Sequence, residues 1–131
     1  MHWAMQYLGQ PWVEHDNDCW AFFRRISADH FQRDLSIIQI DTDNLRVCID
    51  QFLNHTEHQY WKKTTSPTDG DAVLMSQGRM PTHVGMWLSV DGGGVLHCVK
   101  GAGVIFTKTS QLHALSYNVL GYYSYKAGDA C

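Results

Sequence analysis

The sequence predicts an α+β fold in which N-terminal helices pack on an antiparallel β-sheet. Three observations predict it. In the first half, apolar residues recur at helical spacing, as Phe22, Phe23 and Ile26 after Cys19 and as Leu45, Ile49, Phe52 and Leu53 after Asp43. From Ala72 onward the pattern becomes short runs of period two, separated by glycine-containing turns. Between the halves lies a breaker-rich segment, Thr64-Thr65-Ser66-Pro67-Thr68-Asp69-Gly70. Helices first and consecutive strands afterwards spell α+β rather than an alternating parallel architecture.

Each element has its own signal. A short helix over residues 2–8 is stopped by Gly9 and Pro11. Asn17 and Asp18 are good N-caps for a helix starting at Cys19 and running to Phe31, with Phe22, Phe23, Ile26 and His30 at helical spacing. Residues 33–40 read equally as a helix extension or a strand. A further helix is predicted from about residue 44 to 61, capped by Asp43. Strands are expected near residues 72–76, 84–90, 95–99, 104–108 and 117–125. In the second of these, Val84, Met86, Leu88 and Val90 fall on one face, while His83, Gly85, Trp87 and Ser89 fall on the other. The turn Val90-Asp91-Gly92-Gly93-Gly94 makes a hairpin with the next strand, and His83 and His97 then become cross-strand neighbours.

Chemistry concentrates in Asp18-Cys19-Trp20, His83 and His97. A thiol attacks only as thiolate, and its ordinary pKa of about 8.5 must be lowered by a helix N-terminus or an imidazole. Cys19 in a first helical turn has the positive end of the helix dipole, and its own amide can point at an oxyanion. A histidine base needs a third group to fix its tautomer. Taken singly, each residue has an ordinary structural reading: a buried first-turn cysteine, a satisfied core histidine. As a set they read as a cysteine nucleophile and two histidines, which are expected to converge from three elements.

Composition narrows the remaining possibilities. At 131 residues and 44% hydrophobic, with five Trp, six Tyr and five Phe, the chain suits one compact domain spanning residues 1–131. A net charge of −3, with no basic cluster beyond Arg24-Arg25 and Lys62-Lys63, argues against nucleic acid as partner. No apolar run is long enough for a membrane span and no signal peptide is visible, so synthesis in the cytoplasm is expected. Cys98 lies on the opposite strand face from His97 and reads as a small core residue; with Cys48 in the 44–61 helix and Cys131 at the terminus, disulfides are not expected. His55 and His58 form an HxxH without the glutamate or third ligand of a zinc site, and Asp41-Thr42-Asp43-Asn44 begins like a calcium loop but fails it at Leu45, Arg46 and Val47. No metal and no cofactor are called for.

Gly9-Gln10-Pro11-Trp12, Asp18-Cys19, Gly70-Asp71-Ala72-Val73, His83-Val84-Gly85-Met86-Trp87-Leu88 and His97 occur in the order found in the NlpC/P60 cysteine peptidases, and the chain resembles that family over nearly its whole length. The resemblance implies a papain-like core and cleavage of peptide bonds in bacterial peptidoglycan stem peptides. It implies Cys19 as nucleophile, His83 as base and His97 as the residue orienting His83. Two features depart from the usual pattern. Trp20 replaces the small residue that commonly follows the nucleophile, which is more typical of the phage-tail branch. The tyrosine and glycine-rich loop that help hold the oxyanion are absent, leaving the Tyr7 hydroxyl or the Trp12 indole N–H as substitutes, with Asp18 as a cap. His15, Trp20 and Trp87 are candidates to line a substrate groove, although for the tryptophans packing is the preferred reading. The implied partners are peptidoglycan or muropeptides and phage tail proteins, with action at the cell wall from a virion or tail. A CHAP-like amidase or an acyltransferase on the same scaffold, and a non-catalytic phage tail structural protein, remain open, as does a zinc module built from Cys98, His97 and His83. CHAP domains more often place an acid or asparagine third, so His97 favours NlpC/P60.

Overall fold

A computed structural model describes residues 2–14, 16–35, 61–77 and 81–125. The predicted helix over 44–60, with Cys48, His55 and His58, lies outside the described residues, as do Asp41-Thr42-Asp43-Asn44, His15 and Cys131. Within the described residues the fold is α+β: one helix, α1 (Cys19–Phe31), packs on a six-stranded antiparallel sheet. None of the described helices is long and apolar enough to cross a membrane.

The chain enters through a 3₁₀ turn, Trp3–Tyr7, where an α-helix over 2–8 was expected. His2 Nδ1 caps it by accepting from the Ala4 N–H at 3.1 Å. Trp3 stacks on His30 at 3.9 Å between ring centroids, which fastens the turn to the far end of α1.

Helix α1 starts where the capping residues predict. Asp18 is extended, and its Oδ1 accepts from the Ala21 N–H at 2.9 Å, satisfying one of the donors orphaned at a helix start. The helix ends at Gln32, which turns left-handed at φ 52° and donates its N–H to the Ser27 carbonyl. Its buried stripe is Cys19, Trp20, Phe22, Phe23, Ile26 and Ser27. Ile26 is fully buried, so Ile26→Ala carries the usual core penalty of about 2–5 kcal/mol.

The strands are β1 (Trp61–Thr64), β2 (Ala72–Ser76), β3 (Pro81–Leu88), β4 (Gly94–Val99), β5 (Gly103–Lys108) and β6 (Asn118–Tyr125), in the sheet order β1-β6-β2-β3-β4-β5. Strand β1 corrects the sequence reading, which ended a helix at Trp61 and placed Thr64 in a hinge. Trp61 pairs with Tyr125 across β1 and β6, and their rings meet edge-on at 4.9 Å. Arg33 lies over the rings of Phe31, Trp61 and Tyr125 and donates to the Gly70 carbonyl at 2.6 Å. These partners are distant in sequence, so local pattern had no access to them.

Period-two alternation divides the sheet into two faces. Ala72, Leu74, Val84, Met86, Leu88, Leu96 and Cys98 pack with α1, whereas Val73, Met75, Val95, Leu112 and Tyr117 form a second cluster. Strand β3 stops at Leu88, and Val90 belongs to a 3₁₀ turn, Val90–Gly92, rather than to the strand. That turn closes the β3–β4 hairpin with the register Met86↔Leu96, Trp87↔Val95 and Leu88↔Gly94. The Gly70-Asp71 pair opens β2 for a steric and a polar reason. Gly70 sits at φ +94°, and a Cβ there would meet the Phe31 ring at 2.7 Å. Asp71 accepts from the Thr68 N–H at 2.8 Å and from the Ser124 hydroxyl at 2.9 Å, tying the turn to β6.

Candidate active site

Strands β3 and β4 bring the two histidines together. His83 Nε2 and His97 Nδ1 are 2.7 Å apart, close enough that one ring must donate to the other. The approach depends on Gly85, two residues from His83 on the same face. A Cβ at Gly85 would strike Val95 Cγ1 and would lie 2.9 Å from the His97 Cβ and 3.2 Å from the Leu96 carbonyl oxygen.

A third group continues the contact. Strand β5 pairs with β4 as Val95↔Thr107 and His97↔Ile105, so Thr107 is the diagonal neighbour of His97 on the same face. His97 Nε2 lies 3.0 Å from Thr107 Oγ1. All three side chains are buried, His97 completely. Burial pushes the His97 imidazole down to about 4. Burial, and secondarily the neighbouring His97, holds His83 well below the usual histidine range. Both rings are therefore neutral at pH 7, each with one N–H and one lone pair.

Tyr117 completes the surround. Its ring stacks on His83 at 4.9 Å and 24°, and meets His97 edge-on at 5.6 Å. The phenol is pushed up to about 12, first by burial and then by the charge of Cys19. Tyr117 is thus packed on His83 and within electrostatic reach of Cys19. Cys19 itself is buried at the start of α1, the helix that packs on β3 and β4.

The loop before Cys19 is anchored from below. Cys98, on the α1 face of β4 as expected, donates its thiol proton to the Asn17 carbonyl at 3.0 Å. Burial first, then the Asp18 carboxylate, raises that thiol to about 11, so it stays protonated and able to donate. Asn17 in turn donates from Nδ2 to the Pro11 carbonyl at 2.7 Å and accepts from Arg25 at 3.0 Å. Arg25 also binds the Gln10 side chain.

The other anticipated residues fall in different places. Asp18 caps α1. The Tyr7 hydroxyl contacts Asp29 Oδ2 at 3.0 Å and His30 Nε2 at 2.9 Å, in the last turns of α1. Its ring also meets Phe22 edge-on at 5.7 Å, so Tyr7 lies along α1 with its hydroxyl bonded to Asp29 and His30. Trp12 is half-buried against the core with Lys100 Nζ 5.3 Å from its ring. Trp20 is 2% exposed and stacks on Phe23, which makes it a core residue rather than a groove wall. Trp87 is half-buried in the second cluster, its ring closing over Gly93.

Thr107 and Tyr117 were missed by sequence reasoning. Thr107 carried a usable signal, since period two in β5 puts it on one face with Val95 and His97 once the register is known. Tyr117, expected as the first residue of a strand over 117–125, instead lies between the turn at Ser116 and β6 and carried none. Among the described residues no three His, Cys, Asp or Glu side chains are grouped as metal ligands. No protein-family model and no curated protein matches the chain.

Proposed function

We propose that the protein is a cysteine hydrolase of the NlpC/P60 type, with a papain-like core, cleaving peptide bonds in bacterial peptidoglycan stem peptides. The observation that carries this reading is the buried His83–His97 pair at 2.7 Å, packed under a tyrosine that is within electrostatic reach of Cys19. A cysteine at a helix N-terminus supports a thiol enzyme; its helix packs on the face of β3 and β4 opposite the histidine rings, and Tyr117, stacked on His83, is the group within electrostatic reach of Cys19.

In the proposed reaction His83 takes the Cys19 thiol proton at Nδ1 while its Nε2–H donates to His97 Nδ1. The thiolate attacks the scissile carbonyl, and the tetrahedral intermediate collapses as His83 returns the proton to the leaving amine. Water, deprotonated by the same imidazole, then hydrolyses the thioester. His97 holds the tautomer by accepting from His83 Nε2–H. The Asp18-Cys19-Trp20 sequence supports a phage-tail origin, with peptidoglycan as substrate and tail proteins as assembly partners.

The test is incubation with defined muropeptides and identification of the products by mass spectrometry. The wild type should release stem-peptide fragments, and Cys19→Ala and His83→Ala should abolish the release, with His97→Ala milder. Cleavage at an amide outside the stem would favour the CHAP-like reading. No cleavage of any muropeptide would favour a structural tail component.

A further inference from the structure

The hydrogen-bonded series does not stop at the two histidines, and its buried end is a hydroxyl. We propose that Thr107 is a positioning residue of the site, accepting from the buried His97 Nε2–H and so allowing both imidazoles to keep their proton on Nε2. This rests on the reading of His83 as the base.

Two neutral rings joined by one short N···N contact can be protonated in only two concerted ways. In the first, the protons run outward from the nucleophile: His83 Nε2–H donates to His97 Nδ1, and His97 Nε2–H donates to Thr107 Oγ1. His83 Nδ1 is then a lone pair, ready to accept a thiol proton. In the second, every donor reverses: Thr107 O–H donates to His97 Nε2, His97 Nδ1–H donates to His83 Nε2, and His83 carries its proton on Nδ1. A base cannot work from that nitrogen.

The first arrangement puts both protons on Nε2, the tautomer that neutral histidine side chains favour in water. It also needs a buried acceptor beyond His97, because His97 is completely buried and an N–H without a partner there is costly. Thr107, 5% exposed and diagonal to His97 across the β4–β5 register, is placed to be that acceptor. The strand pairing fixes its position, and its β-branched side chain restricts where the oxygen can point. His97 orients His83, and Thr107 orients His97.

The test uses the full chain with ¹⁵N-labelled histidine at pH 7, reading the protonated nitrogen of each ring from its ¹⁵N shift, alongside muropeptide turnover. The wild type should show Nε2 protonation at both His83 and His97. Thr107→Val keeps the shape but neither accepts nor donates; the two arrangements should then mix, and kcat should fall about 10- to 100-fold with little change in KM. Thr107→Ser should restore both the tautomers and the rate. Nδ1 protonation of His83 in the wild type, or wild-type tautomers and turnover in Thr107→Val, would overturn the proposal. If no muropeptide is cleaved by the wild type while the tautomers respond to valine and serine as stated, the hydrolase reading falls and the positioning role of Thr107 stands.

Discussion

Gly85→Ala is the most informative single change outside the reacting groups. The backbone at Gly85 lies outside the left-handed region, so alanine is conformationally allowed and should gain about 0.4–1 kcal/mol through the unfolded chain. Space is the objection. The new methyl would overlap Val95 Cγ1 and stand 2.9 Å from the His97 Cβ and 3.2 Å from the Leu96 carbonyl, in a region where Val95, Leu96 and His97 are all completely buried. Overpacking of this kind costs about 1–3 kcal/mol, so the clash outweighs the entropic gain and the net effect is a loss of about 0.5–2 kcal/mol. For a chain of this size the melting temperature should fall by about 2–8 °C. Relief must come partly from His97 moving away, and a shift of half an ångström carries the 2.7 Å contact to the edge of hydrogen-bonding range. Calorimetry reads the first effect; histidine ¹⁵N spectra read the second. A variant that melts at or above the wild type with an unchanged histidine pair would refute the claim that Gly85 makes room for the contact.

Two further outcomes follow from burial of the same groups. Because burial lowers both imidazoles, the unfolded chain binds more protons than the folded one below about pH 6.5; stability is complete above that pH and is lost as the pH falls, the His97 share being gone near pH 4. The slope approaches about 1.4 kcal/mol per pH unit for each titrating ring, and urea unfolding at pH 7.5 and 4.5 should show a smaller loss in His97→Gln than in the wild type; equal losses would contradict this. Tyr117→Ala removes a buried ring at a cost of about 3–5 kcal/mol and uncovers one face of His83, whose pKa should rise toward the ordinary value in an NMR titration, whereas Tyr117→Phe keeps the stack and should leave it low.

Much of this arrangement was legible because it is written in local pattern. Asp18 announced the start of α1, period two announced β2, β4 and β5, and the glycine turn announced the hairpin that pairs His83 with His97. What escaped depends on contacts between distant residues. Strand β1 exists because Trp61 finds Tyr125 on β6 and Arg33 after α1, while its own four residues say little. Tyr7 offers a hydroxyl upstream of the nucleophile in sequence, but folding commits that hydroxyl to Asp29 and His30. Trp20 reads from its sequence position as a groove or packing residue, with packing preferred, and its burial against Phe23 agrees with packing. Period two in β5 shows which face Thr107 takes, but only the β4–β5 register makes it the diagonal neighbour of His97.

The central claim is that Cys19 is an activated thiol, and its alkylation rate as a function of pH tests that most directly. Iodoacetamide labelling of the native protein, quantified by mass spectrometry of the Cys19 and Cys98 peptides from pH 5 to 9, should show Cys19 reacting readily at pH 6. Cys98, held protonated by burial and bonded to the Asn17 carbonyl, should stay unlabelled. The same Cys19 in the urea-unfolded chain should lose reactivity steeply below about pH 8.5, as an ordinary thiol does; His83, neutral beside a protonated thiol, acts by taking the thiol proton, so His83→Ala should move the native profile toward the unfolded one. Identical pH profiles for Cys19 in the native and unfolded protein would mean that neither the helix nor His83 activates the thiol, and the hydrolase account would be contradicted.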